Sequence, residues 1–258
     1  MSSNNESIKK TLTVALSLCV VCSVVVSGAA VSLRSLQQSN AEAERKRNIL
    51  LAAGVYDAGS SVTEQFSQFE TKVVDLATGQ YVDWSAEDVA AWDMYKEAGN
   101  PENSIALSKE EDIASIRRQA KYATVYLYDS DKDGNAERLV LPVQGYGLWS
   151  TLYGFMALEN DANTVAGLTF YSHAETPGLG GEVDNPAWKA QWNGKSVYRD
   201  GEVALRLVKG GATPGDQYGV DGLAGATLTG RGVTNLVQFW LGENGFQSYL
   251  TNLKEGKI

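Results

Sequence analysis

The feature that most constrains this chain is a run of 23 residues without a charge, Thr11 to Leu33, reading TLTVALSLCVVCSVVVSGAAVSL. A helix of that length and composition spans a bilayer. Lys9 and Lys10 precede it and Arg34 follows. A cleaved signal peptide is the rival reading, since Ser27, Gly28 and Ala29 are small. The run is nevertheless longer than a usual signal core and lacks an Ala-x-Ala site, so a retained anchor is expected. Residues 34–53 alternate acidic and basic side chains before Ile49, Leu50 and Leu51, which predicts that the helix continues as a stalk. The expected organisation is residues 1–10 as an N-terminal tail, 11–33 as the transmembrane helix, 34–53 as the stalk and 54–258 as a folded domain.

The chain has a net charge of −9, and setting aside residues 1–33 with Lys9, Lys10 and Glu6 moves it to −10. An acidic domain argues against a nucleic-acid partner. Arg34, Arg45, Lys46 and Arg47 outnumber the two N-terminal lysines, which on a simple count would keep the domain in the cytoplasm. Long domains translocate largely regardless of charge, so charge leaves the topology open. Both cysteines, Cys19 and Cys22, lie in the apolar run, and one histidine, His173, is present. The domain therefore has no thiol for a disulfide, a cluster or a nucleophile, and no multi-histidine metal site.

Short amphipathic helices are expected at Ser61 to Phe69, at Ser85 to Ala98 with Val89 and Trp92 buried, and at Ser108 to Gln119. The last two open on capping patterns, Ser85 with Asp88 and Ser108 with Glu111. Strands are expected at Lys72 to Ala77, Tyr122 to Tyr128, Glu137 to Val143, Val165 to Tyr171 and Val203 to Val208. Asp129 to Asn135 (DSDKDGN) resembles half of a calcium loop, but Val140 stands at the twelfth position where a bidentate Glu belongs, so an Asp-Gly hairpin turn is the reading. Strands and helices mix without a βαβ rhythm. The fold class is α+β: one N-terminal transmembrane helix, then a mainly antiparallel-sheet domain with flanking helices.

Three glycine-rich stretches remain. Gly145 to Ser150 places glycines beside Tyr146 and Trp149, a pattern that lets backbone approach a flat ligand. His173 to Gly181 supplies a carboxylate, a hydroxyl and free amides in one loop. Asp221 to Thr229 leads into a helix with Val233, Leu236, Val237 and Trp240 on one face, so Thr227 stands at a helix N-terminus where phosphate is favoured. Thr227 or Thr229 as a plain N-cap is the bland alternative.

Taken together, ETPGLG at 175–180 and DGLAGAT at 221–227 behind an N-terminal anchor resemble the membrane-anchored FMN-binding family that carries flavin covalently on threonine. GLWS at 147–150 and FWLGENGF at 239–246 make the chain similar, over its whole length, to the C-subunit family of Na+-translocating NADH:quinone reductases. The resemblance implies FMN linked through its phosphate to Thr227 by a separate Mg2+-dependent flavin transferase using FAD. It implies a bacterial inner-membrane protein with one span and the domain in the periplasm. It further implies single-electron relay within a complex of membrane and flavin or iron-sulfur subunits that oxidises NADH, reduces ubiquinone and exports Na+. The chain itself carries no Gly-x-Gly-x-x-Gly opening a βαβ unit, so NADH is expected to react elsewhere in the complex and the isolated chain to have no turnover. The G-type subunit of the related ferredoxin:NAD oxidoreductase is a shorter relative with the same motif, and a tethered non-redox binding module is the alternative of another class.

On that resemblance, Asp221, Gly225 and Ala226 shape the acceptor loop, with Leu228, Thr229 and the following helix beside the phosphate. Leu148, Trp149 and Leu179 are expected as apolar walls of the isoalloxazine. Glu175, Thr176 and Gly178 are expected to hydrogen-bond its polar edge, Lys209 to neutralise the phosphate, and His173 to assist or to be structural. No metal ligand and no catalytic residue is expected. Ala224 departs from the family's Ser or Thr at that position.

Overall fold

A computed structural model describes residues 8–258. Of the expected N-terminal tail, residues 1–10, positions 1–7 lie outside the described residues. Helix α1 (Ile8–Ala52) runs unbroken for 45 residues, about 68 Å at 1.5 Å per residue, more than twice the ~30 Å of hydrocarbon in a bilayer. It is long and apolar enough to cross a membrane. Cys19 and Cys22 are free and exposed along it.

The chain divides into residues 1–44 and a compact unit, Arg45–Ile258. The unit begins earlier than the expected boundary at 54, because the end of the predicted stalk is core. Ile49, Leu50, Ala52 and Ala53 are buried with Phe69, Tyr126, Val140, Phe155 and Ala157. Gly167 lacks a side chain where Ala52's carbonyl comes against it, and Arg45 Nη2 donates to Tyr126 Oη at 2.6 Å.

The central sheet has six strands in the order β2-β1-β5-β6-β7-β8, every pairing antiparallel. Its members are β1 (Phe69–Asp75), β2 (Gln80–Tyr81), β5 (Tyr122–Tyr128), β6 (Arg138–Tyr146), β7 (Thr151–Glu159) and β8 (Val165–Ser172), with β3 (Ser104–Ala106) and β4 (Arg118–Ala120) forming a side hairpin. Helices α2 (Val62–Phe66), α3 (Ala86–Ala91), α4 (Met94–Glu97) and α5 (Pro186–Ala190) are short. Strands β9 (Tyr198–Arg199) and β10 (Glu202–Val203) pair, then β11 (Arg206–Val208) and β12 (Gly219–Asp221) pair in parallel. The chain ends with α6 (Thr227–Leu241) and α7 (Gln247–Lys254).

Helix α6 covers one face of the sheet with the stripe read from the sequence, Val233, Leu236, Val237 and Trp240, all buried. Two glycines of the Gly145 to Ser150 stretch serve packing. A Cβ on Gly145 would stand 2.8 Å from Leu236 Cβ, and one on Gly147 would stand 2.6 Å from Glu175 Oε1. From the helix side, Gly232 lies against the Tyr146 carbonyl, and Trp240 Nε1 donates to the Gln144 carbonyl at 2.7 Å. The strand end that carries residues 147–150 is thereby fastened to the helix that begins at Thr227.

Four expected elements differ. The Ser61 to Phe69 helix stops at Phe66, and Phe69 is the first residue of β1. Ser85 caps α3 as predicted, its Oγ accepting from Asp88 N, but the helix stops at Ala91 and α4 restarts under an Asp93 cap; Val89 and Trp92 are half-buried, and Met94 is the buried residue. Ser108 and Glu111 form their reciprocal capping bonds around a turn without a helix. Asp112 takes the amides of Ile116 and Arg117, Ser115 and Arg117 adopt positive φ, and the chain leaves as β4. Val203 to Val208 is two strands, since β10 and β11 pair with different partners. The Asp129 to Asn135 segment is the hairpin connection between β5 and β6. Its three aspartates approach within 4.8 Å and accept bonds from the loop's own amides, Asp129 from Gly134, Asp131 from Asp133 and Asp133 from Asn135.

Candidate functional site

Strands β11 and β12 run parallel with Val208 opposite Asp221, so the chain leaves both at the same end, where ligands collect in open parallel arrangements. Lys209-Gly210-Gly211 departs from one strand and Gly222 to Gly225 from the other. Positive φ at Gly210, Gly211 and Gly225 turns both loops. Asp221 anchors the pair: its Oδ1 accepts from Ala212 N at 2.7 Å, its carbonyl accepts from Trp188 Nε1 at 2.8 Å, and its amide donates to Gln191 Oε1 at 3.0 Å. Asp221 thus holds the loop before Thr227 from within the protein.

Between the loops and the start of α6 lies a cleft of about 700 Å³ whose lining includes Lys209, Gly211, Asp221, Gly225, Thr227 and Arg231. Thr227 is the first residue of α6 and is exposed; the residue before it, Ala226, is buried and gives no side-chain cap. The plain N-cap alternative therefore fails for Thr227. It fails for Thr229 as well, which is fully buried inside the first turn, its Oγ1 donating to Glu175 Oε2 at 2.5 Å.

Glu175 departs most from expectation. It is buried, and both its oxygens are used by the protein: Oε1 accepts from the amides of Leu148 at 3.0 Å, Trp149 at 2.9 Å and Ser150 at 3.3 Å, and Oε2 accepts from Thr229. Burial pushes its carboxyl up, but the Thr229 hydroxyl and the three amides outweigh that and hold it below the usual carboxylate range. A Cβ on Gly147 or Gly180 would stand 2.6 Å from one of its oxygens. With three amides on one oxygen and the Thr229 hydroxyl on the other, Glu175 is a clamp between the 147–150 loop and α6. His173 belongs to the same support: its Nδ1 accepts from Glu175 N at 3.2 Å and its Nε2 faces Asp184 Oδ2 at 2.9 Å.

Thr176 and Gly178 are exposed on the loop surface; the Thr176 carbonyl closes the turn by accepting from Leu179 N and Gly181 N. Leu148, Trp149, Leu179 and Leu228 are 38%, 64%, 43% and 52% exposed, an unusual display for residues of this size. Leu179 reaches the loop before Thr227, since a Cβ on Gly225 would stand 3.0 Å from Leu179 Cδ2. The expected residues fall into two groups that meet at Gly225: a polar cleft with Lys209, Asp221, Gly225 and Thr227, and an apolar rim with Leu148, Trp149, Leu179 and Leu228. Arg231 was missed by sequence reasoning, although its position four residues after Thr227 on a helix was a usable signal.

A family model described as an FMN-binding domain matches residues 147–242, which span the clamp, the rim, the cleft and α6. The C subunit of the Na(+)-translocating NADH-quinone reductase of Pseudomonas aeruginosa is 51% identical over 262 residues, covering 98% of this chain and 99% of its own. That of Vibrio alginolyticus is 46% identical over 260 residues, covering 100% of both. The crystal structure of Shewanella oneidensis NqrC superposes with a TM-score of 0.76 at 41% identity, covering 82% of this chain and 97% of that one. With identity sustained at this level over the full length, the chain belongs to the C-subunit family of Na+-translocating NADH-quinone reductases, oxidoreductase complexes, and carries that family's FMN-binding domain.

Proposed function

We propose that this chain is the covalent-FMN electron carrier of a Na+-translocating NADH:ubiquinone reductase, with FMN held as a phosphoester on Thr227. The observation that carries the reading is an exposed, uncapped Thr227 hydroxyl at the mouth of a cleft of about 700 Å³, on the first turn of a 15-residue helix. The residues fit a flavin nucleotide on both sides of Gly225. The helix N-terminus and Lys209 suit an anionic phosphoryl group. Leu148, Trp149, Leu179 and Leu228 offer an apolar rim to a flat ring, and Thr176 and Gly178 lie exposed beside it. FMN, when bound, supplies one-electron transfer chemistry.

The chain's own residues hold and shield. Thr227 Oγ is the ester oxygen, Lys209 balances the phosphoryl charge, and the rim excludes water from the ring. Glu175 fixes the distance between rim and acceptor by joining the amides of 148–150 to Thr229. A flavin transferase supplies the group, and the membrane and iron-sulfur subunits of the complex exchange electrons with it. Helix α1 is the single inner-membrane span, and the domain faces the periplasm.

The test is the intact mass and denaturing-gel fluorescence of the chain coexpressed with its transferase. The expected result is one FMN phosphoryl adduct that survives denaturation and disappears in Thr227→Ala. An unmodified wild-type chain, or an adduct that persists in Thr227→Ala, would overturn the reading.

A further inference from the structure

Arg231 lines the same cleft as Thr227 and Lys209, and the Gly-Ala-Thr motif does not call for it. It stands four positions after Thr227 within α6, a spacing that sets two side chains on one helix face with Cβ atoms roughly 6 Å apart. Side chains on a helix lean toward its N-terminus, which carries the guanidinium back toward the turn that bears Thr227. Lys209 enters the cleft from the end of β11. Neither cation makes a hydrogen bond or an ion pair with another described residue. Asp221, the carboxylate in the lining, has Oδ1 engaged by Ala212 N. In a chain of net charge −9, two cations without partners among the described residues line the cleft that holds one exposed hydroxyl.

We propose that Arg231 is a phosphate-recognition residue, its guanidinium acting with Lys209 to bind the phosphoryl group of the flavin nucleotide at Thr227 and so to select a phosphorylated flavin over the bare ring system. The inference rests on the flavin reading above and adds a residue and a selectivity to it. A phosphoester bridging FMN and Thr227 leaves two free oxygens, which the planar guanidinium fork matches in bidentate fashion, whereas an ammonium acts as a point charge.

The test uses the full chain in detergent with Thr227→Ala, so that covalent attachment plays no part, titrated with FMN and with riboflavin by flavin fluorescence. The ratio of the two affinities isolates the phosphate. Adding Arg231→Gln is expected to lower the FMN-over-riboflavin preference about three- to tenfold, the range for a charge-assisted bond at a partly solvated site. Riboflavin affinity stays unchanged, Arg231→Lys keeps part of the preference, and the preference shrinks as salt rises. A preference untouched by Arg231→Gln, or an equal loss for both flavins, overturns this inference alone. A Thr227→Ala parent with no preference for FMN overturns this inference as well, whereas the flavin reading itself stands or falls on the covalent adduct of the wild-type chain.

Discussion

Replacing Glu175 by Gln keeps the shape of the clamp and removes its charge, which isolates what the carboxylate contributes. The wild-type group accepts four bonds, three from the amides of 148–150 and one from Thr229. A bond to a charged acceptor is worth roughly 1 kcal/mol more than a neutral one, so four would favour the carboxylate by about 4 kcal/mol. Desolvation of a buried charge takes back several kcal/mol of that. The depressed carboxyl shows that the donors win, which sets the sign: Glu175→Gln destabilises, by about 1–3 kcal/mol at pH 7. Because the folded value lies below the ordinary value of 4.5, this contribution is fully present above about pH 4.5 and is lost as pH falls through the folded value. Urea titrations of the detergent-solubilised chain, followed by tryptophan fluorescence at pH 7 and at lower pH, measure both quantities. The gap between wild type and Glu175→Gln is expected to be widest at pH 7 and to close on acidification. Equal stability at pH 7, or a gap that widens as pH drops, would refute the clamp. A double-mutant cycle with Thr229→Val adds a coupling of about 1–2 kcal/mol if the two side chains act together.

Two further outcomes follow from packing. Gly232→Ala would ordinarily favour a helix by about 1 kcal/mol, but here the methyl meets the Tyr146 carbonyl and stands 2.9 Å from Gly147 Cα. A net loss of about 1–3 kcal/mol is expected in thermal melts, with lower flavin loading because the strand end and Thr227 move apart; a stabilised variant would contradict the close approach. Trimming the chain at residue 54 removes the fully buried Ile49 and Leu50, worth about 3–6 kcal/mol together, so that form is expected to melt at much lower temperature than one beginning at residue 45. Equal melting temperatures would show that the helix end is not core.

How far a residue's role was legible depended on the range of the interactions that set it. The apolar span, the α6 stripe and the Ser85 cap depend on side-chain period or on neighbours a few residues apart, and the structure contains each of them. The segment Ser108 to Gln119 carries an equally good local signal and its capping bonds form, yet its end pairs with Ser104–Ala106 as a strand. A pairing with a separate strand overrode a weak local preference.

By itself, then, the sequence determined that the chain has one long apolar helix, an α+β domain, and a Gly-Ala-Thr turn opening an amphipathic helix, because length, period and turn chemistry are local properties. Tertiary structure alone decided what surrounds Thr227. Glu175 is 54 residues from Thr229 and about half that distance from Leu148 and Trp149 in the chain, and no local pattern states that a carboxylate will be enclosed by Gly147 and Gly180. Parallel pairing of Val208 with Asp221 likewise brings Lys209 to the cleft that Thr227 and Arg231 share. Charge and hydrogen-bond capacity are written in each residue, but which partner consumes them depends on distances that exist only once the sheet and α6 have closed together.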